Sequence, residues 1–318
     1  TIVEEEIQGE LDEHGEDVDL NNLSRASIWQ GHPMGRRITG SVASLARLNE
    51  EDLRRHHQRY YVASNAVLCV SGRVCSDQVF AMAEKAFRGI SAGCPASDGD
   101  AARFSPDSRL ALQDGDSSQA SIALSFESYP DPHDRFAALE LLTRILDDGL
   151  GSRLHQNVIE RRGLVYELAT GLDCYADCGV YDIELTVAPR RAVTAVAVTL
   201  ETLEELCERG VPPEELDVVR HRCLHELEYA LDSASELSSH FGSAALFRRV
   251  EPLAVHAEKL KGVTPGDILQ VARDVFHSGR LHGTIIGPLE RTPIDRIRVL
   301  LGYFAGDEGP LTARALTG

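Results

Sequence analysis

A run of acidic residues opens the chain and contains the first candidate for metal chemistry. The stretch "TIVEEEIQGELDEHGEDVDL" has nine acidic residues and no Lys or Arg. Val3, Ile7 and Leu11 recur every four residues, as on one face of a helix, and Glu6 lies beside them. This position predicts a half-buried carboxylate, which needs a cation or hydrogen-bond donors to offset its desolvation. A metal-binding or catalytic Glu6 and a solvated acidic helix both fit the pattern.

A second candidate lies in the helical pattern "EELDVVRHRCLHELEYAL". His221 and His225 are one helical turn apart and are followed by Glu226, a spacing that can chelate zinc. The order HExxH is missing, so the alternative is a charged helix face without metal.

Two of the cysteines form a third candidate, for a disulfide or a metal site. Seven cysteines, an odd number without the spacing of a small disulfide scaffold, favour free thiols, a reducing compartment and a cytoplasmic location. Cys174 and Cys178 in "CYADC" can instead pair across a hairpin or hold a metal.

Two further motifs predict loops rather than ligand sites. "GLGSR" lacks the Lys and the preceding strand of a P-loop, and it predicts a break between helices that is capped by Ser152. "DEHGEDVD" lacks the order of a calcium loop and predicts a mobile acidic loop.

Charge and hydropathy exclude two classes of partner. The net charge of −18 and the pI near 5.1 argue against nucleic acid, because phosphate binding needs clustered Lys and Arg. Cationic peptides and metal ions suit this charge better. No apolar run approaches the roughly 18 residues of a membrane-spanning helix, so no membrane span is expected.

The elements that position these residues occur twice. "LNEEDLRRHHQRYYVASNAVLCVSGRV" matches "VTPGDILQVARDVFHSGRLHGTIIGPL" at a constant offset of 215 residues, without a gap. Each copy predicts a capped helix beginning near Asn49 or Thr264, a short β-run that ends in Gly, and a further amphipathic helix. We interpret the match as an internal duplication.

The duplication sets the domain organisation. Residues 1–95 are predicted to be part of a first domain, 96–110 a linker rich in small and polar residues, and 111–318 the second domain. The second copy adds the strand "QASIALSFES", a hairpin from "GLVYELATGLDCY" and "GVYDIELTVAP", and two long helices separated by Gly210. These patterns predict an α+β fold with a mostly antiparallel sheet flanked by helices.

The two copies differ in length. About 100 residues precede the "EELDVVRHRCLHEL" helix in the second copy, whereas the offset places Glu6 opposite His221 within the first copy. The first domain is therefore expected to be incomplete, in a truncated or processed form of a longer two-repeat protein.

The motifs carry a resemblance that covers essentially the whole chain. "SRLHQNVIERRGLVYELATGLDCYADCGVYDI" resembles the second domain of the M16 peptidases, the pitrilysin, insulinase and mitochondrial processing peptidase family. "IVEEEIQGELDEHGEDVD", "HPMGRRITG" and "LNEEDLRRHHQRYYVASNAVLCVSG" are similar to the second half of their first domain.

The resemblance implies a zinc metallopeptidase that cleaves unfolded peptides by zinc-activated water. In the family, HxxEH supplies two zinc-binding His and the general base, and a later Glu before an aliphatic residue is the third ligand. That Glu matches Glu6. A family Tyr that contacts substrate matches Tyr166, for which the alternative is a Tyr that packs its ring at a strand start.

The chain departs from the family pattern at two places. HxxEH occurs nowhere in the 318 residues, so the catalytic residues and the zinc are expected only with an N-terminal segment or a partner chain. The family's substrate-binding Arg, seven residues before the Tyr, is Ile159 here, and Arg161 and Arg162 would point elsewhere on a regular helix.

The resemblance also bears on partners. It implies a peptide or protein substrate and a homo- or heterodimer with another M16-type subunit. The rival hypothesis is a non-catalytic partner or scaffold subunit of the same family, and a peptide-binding module without hydrolysis is the third. The acidic opening predicts a preference for basic substrates.

Overall fold

The computed structural model describes residues 2–96, 99, 102–105, 110–276 and 280–304. Contacts divide the chain into two compact units. We call Thr1–Val42, Ala102–Val219 and Gly262–Gly318 the sheet unit, and Ala43–Ala101 with Arg220–Lys261 the helical unit. Within the described ranges, no helix is both long enough and apolar enough to cross a bilayer.

The sheet unit is built on five strands in the order β1-β5-β2-β4-β3. Only the β1–β5 pair is parallel, which confirms the predicted α+β fold with a mostly antiparallel sheet. The predicted strand and hairpin of the second copy are confirmed as well. The strands are β1 (Leu110–Gln113), β2 (Ala120–Ser128), β3 (Val165–Cys174), β4 (Gly179–Val187) and β5 (Leu281–Ile286).

Helices cover both faces of this sheet. Those that contact its strands are α2 (Leu20–Ile28), α6 (Phe136–Leu146), α7 (Ala192–Arg209), α11 (Pro265–Val275) and α12 (Arg291–Phe304). The helix α1 (Ile2–Gly9) belongs to the same unit, and α8 (Pro213–Ala230) is divided between the two units. The helix α7 ends at Gly210, whose φ of 68° suits glycine, as the sequence predicts.

Side chains alternate between the two faces of the sheet, and this alternation separates an apolar core from a polar layer. Phe126 and Tyr181 each meet the ring of Phe276 edge to face, at 5.0 and 5.4 Å between centroids, on the side of α11. Their neighbours Ser125 and Asp182 face α2 on the other side. One face therefore carries the apolar core, while the α2 face holds buried polar groups.

The helical unit contains α4 (Glu50–Tyr60), α5 (Ser76–Phe87), α9 (Ala234–Leu246) and most of α10 (Leu253–Gly262), after the short α3 (Val42–Leu45). The predicted starts of both repeated helices are confirmed. Asn49 caps α4 and Thr264 caps α11, and each cap forms a reciprocal pair of hydrogen bonds with an Asp three residues on. Gly72 and Gly287, at equivalent positions, share a φ of 131°.

The repeated β-run differs between the copies. In the second copy it forms β5, which lies between β1 and β2. In the first copy the prediction is wrong, because residues 66–70 form no strand. Val70 is 46% exposed, whereas its equivalent Ile285 is 1% exposed. A strand needs neighbouring strands to satisfy its backbone, and none in the described part of the chain pairs with this run.

Part of the predicted linker packs on the sheet unit. Ala102 is buried in a cluster with Ile28 and Trp29, against which Phe104 also packs. The amide of Ser105 donates to the carbonyl of Ile28 at 2.7 Å. Residues 97, 98, 100, 101 and 106–109 lie outside the described residues. Contacts and sequence repeats divide the chain differently, so the boundaries at 95 and 111 stay predictions.

Candidate functional site

Glu6 lies on α1 but is exposed rather than half-buried, so that expectation is wrong. Only Ile7 of the apolar stripe is buried, at 0% exposure, while Val3 is 40% exposed. Leu11 lies past the helix end, in a β-bridge with Asp17. One buried residue anchors the helix and leaves Glu6 accessible. The space beside Gly9 is open, since an added Cβ there meets nothing within 4 Å.

The acidic segment after α1 is a hydrogen-bonded turn rather than the expected mobile loop. The Asp12 carboxylate accepts hydrogen bonds from the amides of His14 and Glu16 at 2.9 and 2.8 Å. Asp17 pairs with Arg37, and the side chains are 16% and 20% exposed. Local side-chain acceptors satisfy the backbone here, which fixes the turn.

Clusters of potential metal ligands are scarce. Within the described residues, the one group of three convergent His, Cys, Asp or Glu ligand atoms comprises Glu13, His14 and Asp116, all exposed. It contains none of the sequence-predicted candidates. Glu6 therefore belongs to no group of three convergent ligand atoms among the described residues.

His221 and His225 lie on α8 and are exposed. His225 lies 3.3 Å from the Glu228 carboxylate, and Cys223 between the two His is buried at 1% exposure. The two His thus lie on an exposed, charged helix face, and among the described residues they belong to no group of three convergent ligand atoms.

All seven cysteines are free thiols, in agreement with the sequence. Cys174 and Cys178 stand at the end of the β3–β4 hairpin and form no disulfide. Burial, reinforced by the Asp177 carboxylate, raises the pKa of Cys178 to about 12. Burial also raises the pKa of Cys207 to about 12.

These differences predict the order of thiol labelling. With iodoacetamide at pH 8, exposed Cys75 and Cys94 should react at least ~100-fold faster than Cys178 and Cys207, because only the thiolate is reactive. Mass spectrometry of tryptic peptides after timed quenching measures the rates. Equal rates at all four sites would contradict the raised pKa of buried Cys178 and of half-buried Cys207.

Tyr166 lies at the start of the edge strand β3. The pairing with β4 slips between Val165 and Glu167, so Tyr166 occupies a β-bulge. Its side chain is 68% exposed, so the ring is not packed into the core. A bulge at a sheet edge turns a side chain out of the regular alternation. Tyr166 is thus available to a molecule that binds along β3.

The segment before β3 is a π-helix, His155–Glu160, where the sequence predicts an ordinary short helix. Ser152 does not cap it, since its hydroxyl donates to the Gly149 carbonyl at 2.7 Å. Arg161 and Arg162 donate to the side chain and the carbonyl of Asn157, at 3.1 and 2.9 Å. Both guanidinium groups thus fold back onto the π-helix.

A buried ion pair, which sequence reasoning missed, fixes the β3–β4 hairpin against α2. Arg25 donates to the carboxylates of Asp182 at 2.6 Å and Asp173 at 2.7 Å. The side chains of Arg25 and Asp182 are only 12% and 6% exposed. Burial alone lowers the pKa of Arg25, but the bonds and charges of Asp182 and Asp173 outweigh it and raise the pKa.

Two hydroxyl groups complete this network. Ser125 donates to Asp182 at 2.6 Å, and the Ser24 and Ser125 hydroxyl oxygens are 2.8 Å apart. The Arg25 guanidinium also lies 5.8 Å from the centre of the Trp29 ring. No local sequence pattern predicts ion-pair partners that are so distant in the chain. The sequence shows only that an Arg lies within the amphipathic pattern of α2.

Comparison with known proteins identifies the family of this chain. The family model described as "Peptidase M16 inactive domain" matches residues 47–223, more than half of the chain. An uncharacterized zinc protease of Mycobacterium tuberculosis is 27% identical over 309 residues, covering 95% of this chain and 69% of the relative. The uncharacterized zinc protease YmxG of Bacillus subtilis is 25% identical over 276 residues, covering 86% and 66%.

Solved structures agree on the fold. A protease from Helicobacter pylori superposes with a TM-score of 0.81 at 19% identity, over 90% of this chain and 70% of that one. The M16 inactive domain from Pseudomonas fluorescens gives 0.80 at 17% identity, over 91% and 69%. The extent of the family-model match, with relatives along nearly the whole chain, establishes that this chain belongs to the M16 peptidase family.

Proposed function

We propose that this chain is the C-terminal portion of an M16-type zinc metallopeptidase that cleaves unfolded peptides. Family membership with relatives named zinc proteases carries the proposal. Glu6 is assigned as the third zinc ligand and Tyr166 as a substrate contact. The other ligands and the general base are expected from an HxxEH motif, which these 318 residues lack, so this chain alone is expected to be inactive.

Equivalent apolar residues are exposed in the first repeat and buried in the second. This difference supports a further polypeptide that covers the helical unit. Leu53 and Met82 are 62% and 72% exposed, whereas their equivalents in the sheet unit, Ile268 and Ile297, are each 0% exposed. Repeated apolar positions that are core in one copy and exposed in the other indicate a missing layer. A polypeptide that places strands beside residues 66–70, such as the HxxEH segment of the proposed peptidase or a partner chain, would supply such a layer.

The edge strand β3 supports extended-peptide binding. It pairs only with β4 among the described strands, and a free sheet edge can accept a peptide as an added strand. Exposed Tyr166 stands at the start of this edge, where its hydroxyl can donate to a substrate carbonyl.

Tyr166→Phe tests this assignment. In a zinc-loaded form that carries the HxxEH segment, kcat/KM for peptide cleavage should fall roughly 100- to 1000-fold, because a lost donor to a developing oxyanion costs about that much. The free energy of unfolding should change by less than about 0.5 kcal/mol, since the ring is exposed. Tyr229→Phe, an exposed Tyr on α8, is the matched control and should retain activity. An unchanged kcat/KM in Tyr166→Phe rejects the role.

The second candidate is a non-catalytic partner or scaffold subunit. Ile159 at the family's Arg position and the description of the matching model as an inactive domain favour it. The upstream coding sequence discriminates the two: HxxEH there supports the peptidase, and its absence supports the partner subunit. Rates on matched Lys-rich and Glu-rich peptides test the expected preference for basic substrates.

A further inference from the structure

The side chain of Asp147 occupies a backbone donor at the centre of the outer edge of β3. The amide of Thr170 donates to a carboxylate oxygen of Asp147 at 2.8 Å. This amide therefore points away from β4, toward the outer edge. Backbone groups alternate in direction along a strand, so Leu168 and Leu172 also present theirs outward. Thr170 is the middle of these three outward-facing residues.

Two other elements hold Asp147 in this position. It directly follows α6, and its amide donates to the carbonyl of Thr143 at 2.9 Å. Its second carboxylate oxygen lies 3.1 Å from Nε2 of His155 on the π-helix. The Asp147 and His155 side chains are 16% and 21% exposed. The carboxylate thus joins the end of α6, the π-helix and the edge strand.

We propose that Asp147 is a latch that restricts strand addition along β3. A peptide that pairs along the whole edge needs the Thr170 amide for one of its carbonyls, and a carboxylate is the stronger acceptor. While Asp147 holds this amide, a peptide can pair with β3 on only one side of Thr170, and Leu168 lies on the side of Tyr166. Asp147 thereby determines the register and length of the extended peptide. This inference rests on the proposed peptide-binding function.

Hydrogen exchange tests the contact itself. In the chain without peptide, the Thr170 amide should exchange at least ~10-fold faster in Asp147→Ala than in the wild type, because its acceptor is lost. Asp147→Asn keeps an acceptor oxygen and should retain most of the protection. Protection of the β4 amides that pair with β3 shows that the hairpin is still folded. Equal protection of Thr170 in wild type and Asp147→Ala, with the hairpin intact, overturns the latch.

Peptide binding tests its consequence. The probe is a fluorescein-labelled nine-residue peptide of alternating Thr and Val, followed by fluorescence anisotropy. Asp147→Ala should bind it about 10-fold more tightly, as expected for one freed backbone hydrogen bond, and Asp147→Asn should remain near the wild type. The same peptide with N-methylated backbone nitrogens should show no gain, because it cannot pair as a strand.

The outcomes separate the latch from the proposed peptidase. An open Thr170 amide without a gain in affinity rejects the latch, whatever the full protein cleaves. A gain confined to the unmethylated peptide supports the latch, and it does so even where the HxxEH-bearing form shows no proteolysis. That second result would reject the peptidase and keep Asp147 as a determinant of peptide binding.

Discussion

Glu6→Gln should abolish stoichiometric zinc binding in a form of the protein that carries the HxxEH segment. We expect about one zinc per chain in the wild type and less than about 0.1 in the variant, because zinc held by only two protein ligands is lost during purification. Elemental mass spectrometry of desalted protein measures the content. Since Glu6 is exposed, the fold should be unaffected, and loss of metal can be read without a stability correction.

Glu5→Gln is the matched control for this experiment. Glu5 is the preceding exposed carboxylate on α1, so its replacement removes the same charge without removing the proposed ligand, and zinc should remain. Zinc retained in Glu6→Gln would reject the ligand assignment. A wild type without zinc would instead favour the partner-subunit hypothesis.

Arg25→Ala should destabilise the sheet unit by about 3–5 kcal/mol, the usual cost of breaking a buried ion pair. The variant leaves the Asp182 carboxylate, 6% exposed, with the Ser125 hydroxyl but without a cation. Urea unfolding followed by the fluorescence of Trp29, the single Trp of the chain, measures the change. Trp29 lies beside Arg25 and reports on the same unit.

Two comparisons isolate the buried charge as the cause. Arg209→Ala breaks an exposed pair with Glu205 in the same unit, with side chains 74% and 53% exposed, and should cost less than about 1 kcal/mol. Arg25→Met combined with Asp182→Asn removes both charges and should cost less than Arg25→Ala alone, because no buried charge is left unpaired. A loss in Arg25→Ala no larger than that in Arg209→Ala would contradict this account.

The sequence predicted the elements whose signals are local. Asn49 and Thr264 each carry their capping partner three residues away. Gly210 ends α7, and the alternating segments on either side of Cys174 and Cys178 form the hairpin. Such features depend on neighbouring residues and on periodicity, so they can be inferred before any fold is known.

The candidate site was only partly accessible to the same reasoning. Tyr166 was identified by resemblance, but its bulge and exposure depend on the register between β3 and β4. The sequence did not predict a role for Asp147, because that role depends on the hydrogen bond from the Thr170 amide, 23 residues along the chain. The π-helix was not predicted either, because the apolar spacing in the sequence indicates a helix but does not distinguish its type.

The sequence by itself determined the family, the α+β class, the repeated capped helices and the free thiols of this protein. Only the tertiary structure decided that Glu6 is exposed, that residues 66–70 form no strand while their repeat does, and that Arg25 meets Asp182 across 157 residues. The reason is physical: capping and periodicity act between near neighbours, whereas burial and strand pairing depend on which distant segments pack together.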